Sequence, residues 1–306
     1  MNLAVAPAWI AVDWGSSFVR AWAMSQSGQI LAANSSDQGA AKLHSTQFEA
    51  VLLNLIQDWL PSTNTVKVLI CGMAGSRQGW QEAAYLPIPL KLTSDLSASR
   101  VASHDSRIQV SILPGLKQLE TPDVMRGEET QLLGFIQQQP DFNGVVSLPG
   151  THNKWVRVQA QQISQFSTCM TGELFELLAE HSVLRHSLQS SDWDAPAFDA
   201  AFLATIAKPQ AFMQRLFTLR ARDLLQGTPK AQARAQLSGE LIGLEISAMQ
   251  EAGFISPTLP LAFIGSRKLC DLYLRALNLL GIEAQAYAAE HLTVQGLAAA
   301  YQELRS

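Results

Sequence analysis

The chain has 306 residues, of which 47% are hydrophobic and 16% are charged. This length and composition indicate a folded protein with two domains of ordinary size and exclude an intrinsically disordered chain. A formal net charge of −4 at pH 7 argues against a nucleic-acid partner, because nucleic-acid-binding proteins usually carry a basic face.

The cysteines and the N-terminal segment indicate the compartment. The three cysteines, Cys71, Cys169 and Cys270, form no C-x-x-C pair. We therefore expect neither a zinc site nor a disulfide, and we expect a reducing compartment. The segment "MNLAVAPAWI" lacks the features of a signal peptide, and no stretch reaches the ~18 apolar residues of a membrane helix. We therefore expect a soluble cytoplasmic protein with no membrane partner. The oligomeric state is left open, with a homodimer as one option.

The first predicted unit is a strand, a turn and a second strand in "WIAVDWGSSFVRAWAM". An apolar run leads to the turn residues Gly15, Ser16 and Ser17, and the alternation of residues from Val19 onward has the period of a strand. The pattern therefore predicts two strands joined by a tight turn of glycine and hydroxyl residues.

An amphipathic helix follows, with apolar residues at helical spacing between Phe48 and Leu60. Thr46 and Glu49 have the spacing of a capping box, which predicts the start of this helix. A buried strand, "VKVLICGMAGSR", then ends in glycine and serine residues.

The segment "TPDVMRGEETQLLGFIQQQ" predicts a helix that begins near Gly127. Glu128 and Glu129 would lie in its first turn, where the helix dipole favours carboxylates. Two interpretations remain open. Either these glutamates only occupy a helix start, or one of them accepts a proton from the hydroxyl group of a phosphoryl acceptor.

The second half of the chain repeats the order of the first. Aligning Gly15 with Gly150 places "VVSLPGTHNKWVRV" over the first strand, turn and strand. Thr171 then predicts the cap of a helix, and "LPLAFIGSRKL" predicts a buried strand that ends at Gly265 and Ser266. Three matching elements in one order indicate an internal duplication.

Both turns have the composition of a phosphate-binding nest. Thr151 and His152 follow the second glycine as two serines follow the first, and such turns direct N–H and hydroxyl groups toward one point. Only the first turn has an acid, Asp13, and a carboxylate beside phosphates needs a cation, so we expect Mg²⁺ held through water. Alternatively, Asp13 only hydrogen-bonds the backbone of its own turn. Lys154 either neutralises phosphate or is an ordinary strand-edge lysine.

Other nucleotide-binding and hydrolase motifs are absent from the sequence. It contains no G-x-x-x-x-G-K-[ST], no G-x-G-x-x-G after the first strand, no H-E-x-x-H and no G-x-S-x-G. We therefore do not expect a Walker-type ATPase, a dinucleotide-binding dehydrogenase or a hydrolase of the common types.

The duplicated phosphate turns resemble those of the actin, hexokinase and Hsp70 ATPase superfamily. Within it, the chain resembles the 2-dehydro-3-deoxygalactonokinase family through six ordered motifs: "VDWGSSFVRAW", "GMAGSRQGW", "DVMRGEETQLLG", "LPGTHNKWV", "FSTCMTGELF" and "HSVL". The resemblance implies an α/β protein with a duplicated actin-like (ribonuclease H-like) ATPase fold, in which two lobes with mixed five-stranded sheets flank a central cleft. It also implies an ATP- and Mg²⁺-dependent kinase that phosphorylates the C6 hydroxyl group of 2-dehydro-3-deoxy-D-galactonate in D-galactonate catabolism.

The resemblance also implies a domain organisation. Residues 1–139 are expected to form an N-terminal lobe with the first phosphate turn, the acceptor sugar and the catalytic carboxylate. Residues 140–306 are expected to form a C-terminal lobe with the second phosphate turn and the adenosine site. The last helix, "HLTVQGLAAAYQEL", is expected to cross back to the first lobe.

The resemblance further implies roles for individual residues. Related sugar kinases supply the catalytic carboxylate from a Gly-Asp-Gln-Gln stretch at the place of "GEETQLLGF", which implies Glu128 as the base and Glu129 as the second choice. The residues expected to bind ATP and Mg²⁺ are Asp13, Gly15, Ser16, Ser17, Gly150, Thr151, His152, Lys154, Gly265 and Ser266, with Asp13 as the metal ligand. Arginine is the natural partner of the acceptor's carboxylate, and the residues expected around the acceptor are Arg20, Ser76, Arg77, Trp80 and Arg126.

Two rival functions remain open. A kinase for another sugar acid, such as 2-keto-3-deoxygluconate, would use the same turns, because the pocket rather than the turns distinguishes epimers. A non-catalytic nucleotide or sugar sensor on the same scaffold would be expected to have an added partner-binding segment, and two copies that fill 306 residues leave no room for one.

Overall fold

A computed structural model describes residues 7–92 and 97–304 of the protein. The chain divides into two compact units. Unit 1 consists of Met1–Phe142, Gln159–Gln165 and Ala289–Ser306, and unit 2 consists of Asn143–Val158 and Phe166–Ala288. The first boundary lies at residue 142, three residues beyond the predicted boundary at 139, and the last helix belongs to unit 1.

Strands and helices alternate along much of the chain. The strands are β1 (Trp9–Trp14), β2 (Val19–Met24), β3 (Ile30–Ser36), β4 (Val66–Gly72), β5 (Tyr85–Pro87), β6 (Leu90–Lys91), β7 (Ser99–Val101), β8 (Ile108–Ile112), β9 (Gly115–Gln118), β10 (Asp123–Met125), β11 (Gly144–Leu148), β12 (Asn153–Gln159), β13 (Gln162–Cys169), β14 (Leu261–Gly265) and β15 (Gln285–Ala288). The helices are α1 (Phe48–Ile56), α2 (Glu128–Gln138), α3 (Thr171–Glu176), α4 (Arg185–Leu188), α5 (Ala195–Ala207), α6 (Phe212–Gln226), α7 (Lys230–Glu251), α8 (Arg267–Asn278) and α9 (Ala289–Glu303). Among the described residues, no helix combines the length and apolar character needed to cross a membrane.

The main sheet of unit 1 has the strand order β3-β2-β1-β4-β8-β7. β1, β2 and β3 form an antiparallel meander, and β4 and β8 extend the sheet parallel to β1. The three-residue strand β7 pairs antiparallel with β8 and adds a sixth strand to the predicted five. One face of β1 packs on α1, because Ile10, Val12 and Trp14 alternate along the strand and meet Phe48 and Leu52 in one buried cluster.

Unit 2 repeats this arrangement with β13-β12-β11-β14-β15. β11 and β12 are antiparallel, whereas β14 and β15 are parallel to β11 and to each other. The tip of the β12–β13 hairpin belongs to unit 1, where Gln162 and Ile163 pair with Lys91 and Leu90. The order β13-β12-β11-β14-β15 in unit 2 therefore matches the order β3-β2-β1-β4-β8 in unit 1, and the central pairs β11–β12 and β11–β14 have the same directions as β1–β2 and β1–β4, which confirms the predicted duplication.

The start of α1 differs from the prediction. The capping box is formed by His44 and Gln47 around a short 3₁₀ turn, not by Thr46 and Glu49. Glu49 Oε1 instead accepts the N–H group of Asp105, at 2.8 Å, and that of the preceding histidine. The predicted capping box is wrong because a distant loop occupies the carboxylate.

Two glycines bring α2 and α9 into backbone contact within unit 1. A Cβ atom at Gly296 would lie 1.9 Å from the carbonyl oxygen of Thr130, and one at Gly134 would lie 2.0 Å from that of Leu292. No side chain fits at such distances. α9 therefore packs directly on the helix that begins at Glu128.

Gly296→Ala is expected to destabilise the protein, because the added methyl group forces α2 and α9 apart. Overpacking of this kind costs about 1–3 kcal/mol, which exceeds the roughly 1 kcal/mol that alanine gains over glycine in a helix. Urea denaturation measures the change, and His291→Ala, at an exposed position of α9, is the control. Equal stability of Gly296→Ala and wild type would show that the two helices separate without loss.

Candidate active site

β1 and β4 end side by side in unit 1. Their parallel register pairs Asp13 with Cys71 and Trp14 with Gly72. In open α/β sheets, ligands bind outside the carboxyl ends of parallel strands. The turn after β1 and the start of α2 therefore mark the candidate site of this unit.

Asp13 forms an ion pair with Arg20 on the neighbouring strand β2. Arg20 Nη2 donates to Asp13 Oδ2 at 2.7 Å, and Cys71 Sγ lies 3.8 Å from Oδ1. Burial raises the pKa of Asp13 above its ordinary value, although the Arg20 guanidinium acts in the opposite direction. Two residues predicted for different ligands, Mg²⁺ and the acceptor, are thus paired with each other.

In the first turn, the N–H group of the glycine forms a hydrogen bond within the turn itself. Gly15 donates to the carbonyl oxygen of Phe18 at 2.9 Å, and the carbonyl groups of Gly15 and Ser16 accept hydrogen bonds from the backbone at residues 40 and 41. Ser16 and Ser17 are exposed, and their N–H groups donate to no other group within the described ranges. These two N–H groups and hydroxyl groups are the donors that the turn offers to a ligand.

Glycines place Glu128 close to the ends of β1 and β4. Gly127 has a φ of 104°, and a Cβ atom there would lie 3.3 Å from Cα of Gly72. Glu128 is half-buried in the first turn of α2, and its Oε2 accepts the N–H group of Arg126 at 3.0 Å. The candidate base and the candidate metal ligand therefore lie on neighbouring elements of unit 1.

Glu129 is buried, with 1% of its surface exposed. Its Oε2 accepts the N–H group of Gly127 at 2.7 Å, and its Oε1 accepts the hydroxyl group of Thr130 at 3.2 Å. Burial, reinforced by the charge of Glu128, raises the pKa of Glu129 to about 8. Glu129 is therefore largely protonated at neutral pH, which suits a helix anchor better than a base.

The raised pKa of Glu129 predicts a loss of stability as the pH rises. Between its ordinary value of 4.5 and about 8, the folded protein binds a proton that the unfolded chain has lost. The free energy of unfolding should therefore fall by up to about 1.4 kcal/mol per pH unit from this group. Glu129→Gln should flatten this dependence in denaturation series between about pH 5 and pH 8, whereas Glu120→Gln, at an exposed position, should follow wild type. Parallel curves for all three proteins would contradict the assignment.

The predicted acceptor residues lie in different environments. Trp80 packs beside Trp14 and Phe48, with ring centroids 6.3 and 6.2 Å away. Arg77 is exposed and lies 3.5 Å from a carboxylate oxygen of Glu82. Trp80 is therefore packed against other aromatic rings, whereas the guanidinium group of Arg77 is accessible to solvent.

Arg126 and Ser76 are buried within unit 1. Arg126 Nη2 donates to the carbonyl oxygen of Ala83 at 2.7 Å, Nε donates to the Tyr85 hydroxyl at 3.3 Å, and the guanidinium lies 4.1 Å above the Tyr85 ring. These contacts fix the chain immediately before Glu128. Arg126 therefore supports the start of α2, and its predicted contact with the acceptor stays a prediction.

The turn after β11 in unit 2 has the same local pattern as the first turn. Gly150 N–H donates to Asn153 Oδ1 at 2.7 Å, where the first turn uses a backbone carbonyl group. The N–H groups of Thr151 and His152 donate to no other group in the described part of the chain. His152 Nε2 lies 2.6 Å from Oε2 of Glu173. Thr151 and His152 therefore supply the available backbone donors of the second turn.

A cavity of about 720 Å³ opens at this turn and lies wholly within unit 2. Gly150 and Thr151 line it, and a Cβ atom at Gly150 would meet no heavy atom within 4 Å, so bare backbone faces open space. The apolar walls come from α7 and α8, with Leu241, Ile242, Leu269 and Leu272. Its volume and mixed lining suit a small-molecule ligand that carries both an apolar and a charged part.

The remaining predicted residues of unit 2 lie around this cavity rather than in its lining. Ser266 caps α8, and its Oγ accepts the N–H group of Leu269 at 3.4 Å. Gly265 lies against Pro149, since a Cβ atom there would be 3.3 Å from Pro149 Cγ. Lys154 is buried in β12. The cavity is lined by α8 residues that follow the predicted pair, from Lys268 onward.

The sequence analysis missed the buried acid Glu245 of α7. Four side chains donate to its carboxylate: Asn153, Trp155, Thr171 and Tyr273. Thr171 was predicted to cap α3, but its hydroxyl donates to Glu245 and the capping position is Met170. The available signal was a glutamate within the largely apolar helical segment "LSGELIGLEISAM".

The acids of unit 1 fit a metal ion that is held mainly by water and phosphate. Across residues 7–92 and 97–304, no three His, Cys, Asp or Glu side chains are grouped so that they could hold a metal by themselves. Mg²⁺ usually keeps several waters and binds one or two carboxylates together with substrate phosphates. The single carboxylate of Asp13 is enough for such a site. Its Oδ2 accepts a hydrogen bond from Arg20, and its Oδ1 contacts only the weak thiol donor of Cys71.

A duplicated sheet of this order, with a glycine–hydroxyl turn after the first strand of each copy, defines a member of the actin-like ATPase fold class. The chain matches the family described as 2-keto-3-deoxy-galactonokinase over residues 13–300. The chain belongs to this family.

The chain is similar to two named proteins and to a solved crystal structure. It is 40% identical to a probable 2-dehydro-3-deoxygalactonokinase of Rhizobium meliloti, with 95% of each chain covered. It is 34% identical to the 2-dehydro-3-deoxygalactonokinase of Escherichia coli, with 92% of this chain and 93% of the relative covered. A crystal structure from Sinorhizobium meliloti described as a putative 2-dehydro-3-deoxygalactonokinase protein superposes with a TM-score of 0.87 at 38% identity, covering 97% of this chain and 99% of the other.

Proposed function

We propose that the protein is an ATP-dependent sugar-acid kinase that phosphorylates the C6 hydroxyl group of 2-dehydro-3-deoxy-D-galactonate. The observation that carries this proposal is the family match over residues 13–300, supported by 40% identity to a relative with 95% of each chain covered. Because the phosphoryl donor is ATP, we place the reaction in the cytoplasm.

Unit 2 is proposed to bind the nucleotide. The apolar walls of the cavity would take the adenosine, and the N–H groups of Thr151 and His152 would donate to phosphate oxygens next to the bare backbone of Gly150. Lys154, on the strand that follows, would contribute positive charge to the same region.

Unit 1 is proposed to supply the base, the metal ligand and the acceptor site. Glu128 would accept the proton of the acceptor hydroxyl, since it is the half-buried member of the pair and Glu129 is anchored. Asp13 would hold Mg²⁺ through water, and Arg20 would orient Asp13. Mg²⁺, when bound, neutralises charge on the transferred phosphoryl group. Among the arginines proposed for the acceptor carboxylate, Arg77 has the most exposed side chain, since Arg20 is 37% exposed and Arg126 is buried.

An acceptor panel tests the proposed function. ADP release would be measured with 2-dehydro-3-deoxy-D-galactonate, with 2-keto-3-deoxygluconate and with no acceptor, and mass spectrometry would identify the phosphorylated product. Strong stimulation by the galactonate derivative supports the proposal. A stronger response to the gluconate epimer would reassign the acceptor, and no response to any sugar acid would favour a non-catalytic sensor.

A further inference from the structure

Glu245 is a buried acid that the proposed reaction does not use directly. It lies in α7 with 4% of its surface exposed, and burial raises its pKa above the ordinary value. Trp155 Nε1 donates to it at 2.6 Å, the Tyr273 hydroxyl at 2.7 Å and Asn153 Nδ2 at 2.8 Å, and the Thr171 hydroxyl donates as well. No lysine, arginine or histidine forms an ion pair with Glu245 among the described residues. Within residues 7–92 and 97–304, these donors compensate the burial of the Glu245 carboxylate.

The first connection to the phosphate turn runs through Asn153. The amide nitrogen of this side chain faces Glu245, so its oxygen is turned toward the N–H group of Gly150, which donates to it at 2.7 Å. An amide has a donor end and an acceptor end, and occupying one end fixes the other. The carboxylate of Glu245 therefore sets the orientation in which Asn153 can close the turn.

The second connection runs through the start of α3. The hydroxyl group of Thr171 donates to Glu245, and the next residue, Gly172, has no room for a side chain, because a Cβ atom there would lie 2.1 Å from the carbonyl oxygen of Gly150. The N–H group of Glu173 donates to the carbonyl oxygen of Thr151 at 2.9 Å. Glu245 thus holds the element against which the turn rests.

We propose that Glu245 is a positioning residue that holds the second glycine–hydroxyl turn in the shape that binds nucleotide phosphates. It does not touch the nucleotide and acts through Asn153 and Thr171. The inference rests on the proposed function, since it takes the ligand of this turn to be ATP. A glutamine at residue 245 would have no negative charge and only one acceptor oxygen for four donors, so the charge-assisted hydrogen bonds that orient Asn153 and Thr171 would be lost or weakened.

The test compares ATP with adenosine, a ligand that lacks phosphates. In calorimetric titrations, Glu245→Gln should bind ATP about tenfold more weakly than wild type, as expected for the loss of one charge-assisted hydrogen bond, while adenosine affinity changes less than about twofold. Trp155→Phe is the matched control, because it removes a donor to the same carboxylate that does not lead to the turn. It should lower the melting temperature and leave both affinities at their wild-type values.

Equal weakening of ATP and adenosine binding, or unchanged ATP binding by a folded Glu245→Gln protein, would overturn the inference. If Glu245→Gln does not fold, the pair Thr171→Ser and Thr171→Val decides, since serine keeps the donor to Glu245 and valine removes it. Weaker ATP binding is expected only for Thr171→Val, and equal ATP binding by the two variants would overturn the inference. A wild-type protein that binds no ATP would instead refute the proposed function itself.

Discussion

Glu128→Gln is expected to lower kcat by about 10²–10⁴, the usual contribution of general-base assistance. The acceptor hydroxyl is a poor nucleophile at neutral pH, and a carboxylate within hydrogen-bond reach aligns it and accepts its proton. Glutamine keeps the size and shape of the side chain but cannot take the proton. KM for ATP should stay within a few-fold, because the proposed nucleotide cavity lies wholly in unit 2. Steady-state kinetics with both substrates measure the two effects.

Glu129→Gln is the matched control for this variant. Adjacent helical residues point about 100° apart, so the two glutamates cannot share one role. Both carboxyl oxygens of Glu129 accept hydrogen bonds within the start of α2. The turnover of the Glu129→Gln variant should therefore stay within a few-fold of wild type. An inactive Glu129→Gln beside a nearly normal Glu128→Gln would move the base to Glu129. Full activity of both variants would leave the start of α2 with a structural role alone.

Asp13→Asn is expected to lower kcat by about 10²–10³, the cost of removing one preorganised electrostatic contact from a phosphoryl-transfer site. The amide keeps the shape of the side chain and loses the charge that we propose acts on Mg²⁺ through water. The Mg²⁺ concentration that gives half-maximal activity should rise. Rates measured across a Mg²⁺ series separate this effect from a general loss of activity.

Asp37→Asn makes the same chemical change at an exposed ion pair with Lys42 in unit 1 and should behave as wild type. Circular dichroism of Asp13→Asn should match wild type, since the released partner Arg20 is 37% exposed and can be solvated. Wild-type turnover of Asp13→Asn at saturating Mg²⁺, with an unchanged Mg²⁺ requirement, would remove Asp13 from the site.

The duplicated fold could be predicted from the sequence because its signals are local. The alternation after Val19, the glycines at 15 and 150 and the apolar strands each report on a few neighbouring residues, and their order repeats. The helix start at Glu128 was accessible for the same reason, since two acids after a glycine are favoured by the dipole in the first turn of a helix.

The structural features that could not be predicted from the sequence depend on contacts between residues far apart in the chain. Glu49 matches a capping pattern, yet the loop at Asp105 takes its carboxylate. The ion pair between Asp13 and Arg20, which the register of β1 and β2 brings together, was not predicted either. Glu245 gathers donors from three separate segments, and no short pattern in the sequence carries that information. Pairings of this kind follow from tertiary structure alone.

The contact between α2 and α9 has a consequence for the order of events during synthesis. α9 is translated after the whole of unit 2, although it packs on a helix of unit 1 that left the ribosome more than a hundred residues earlier. Domains generally fold as they emerge, with the N-terminal one first. Until α9 has been translated, the face of α2 that packs on it has no such partner within unit 1. Unit 2 can therefore complete its fold before unit 1, and the start of α2, with the proposed base Glu128, gains its packing partner only after α9 has been translated.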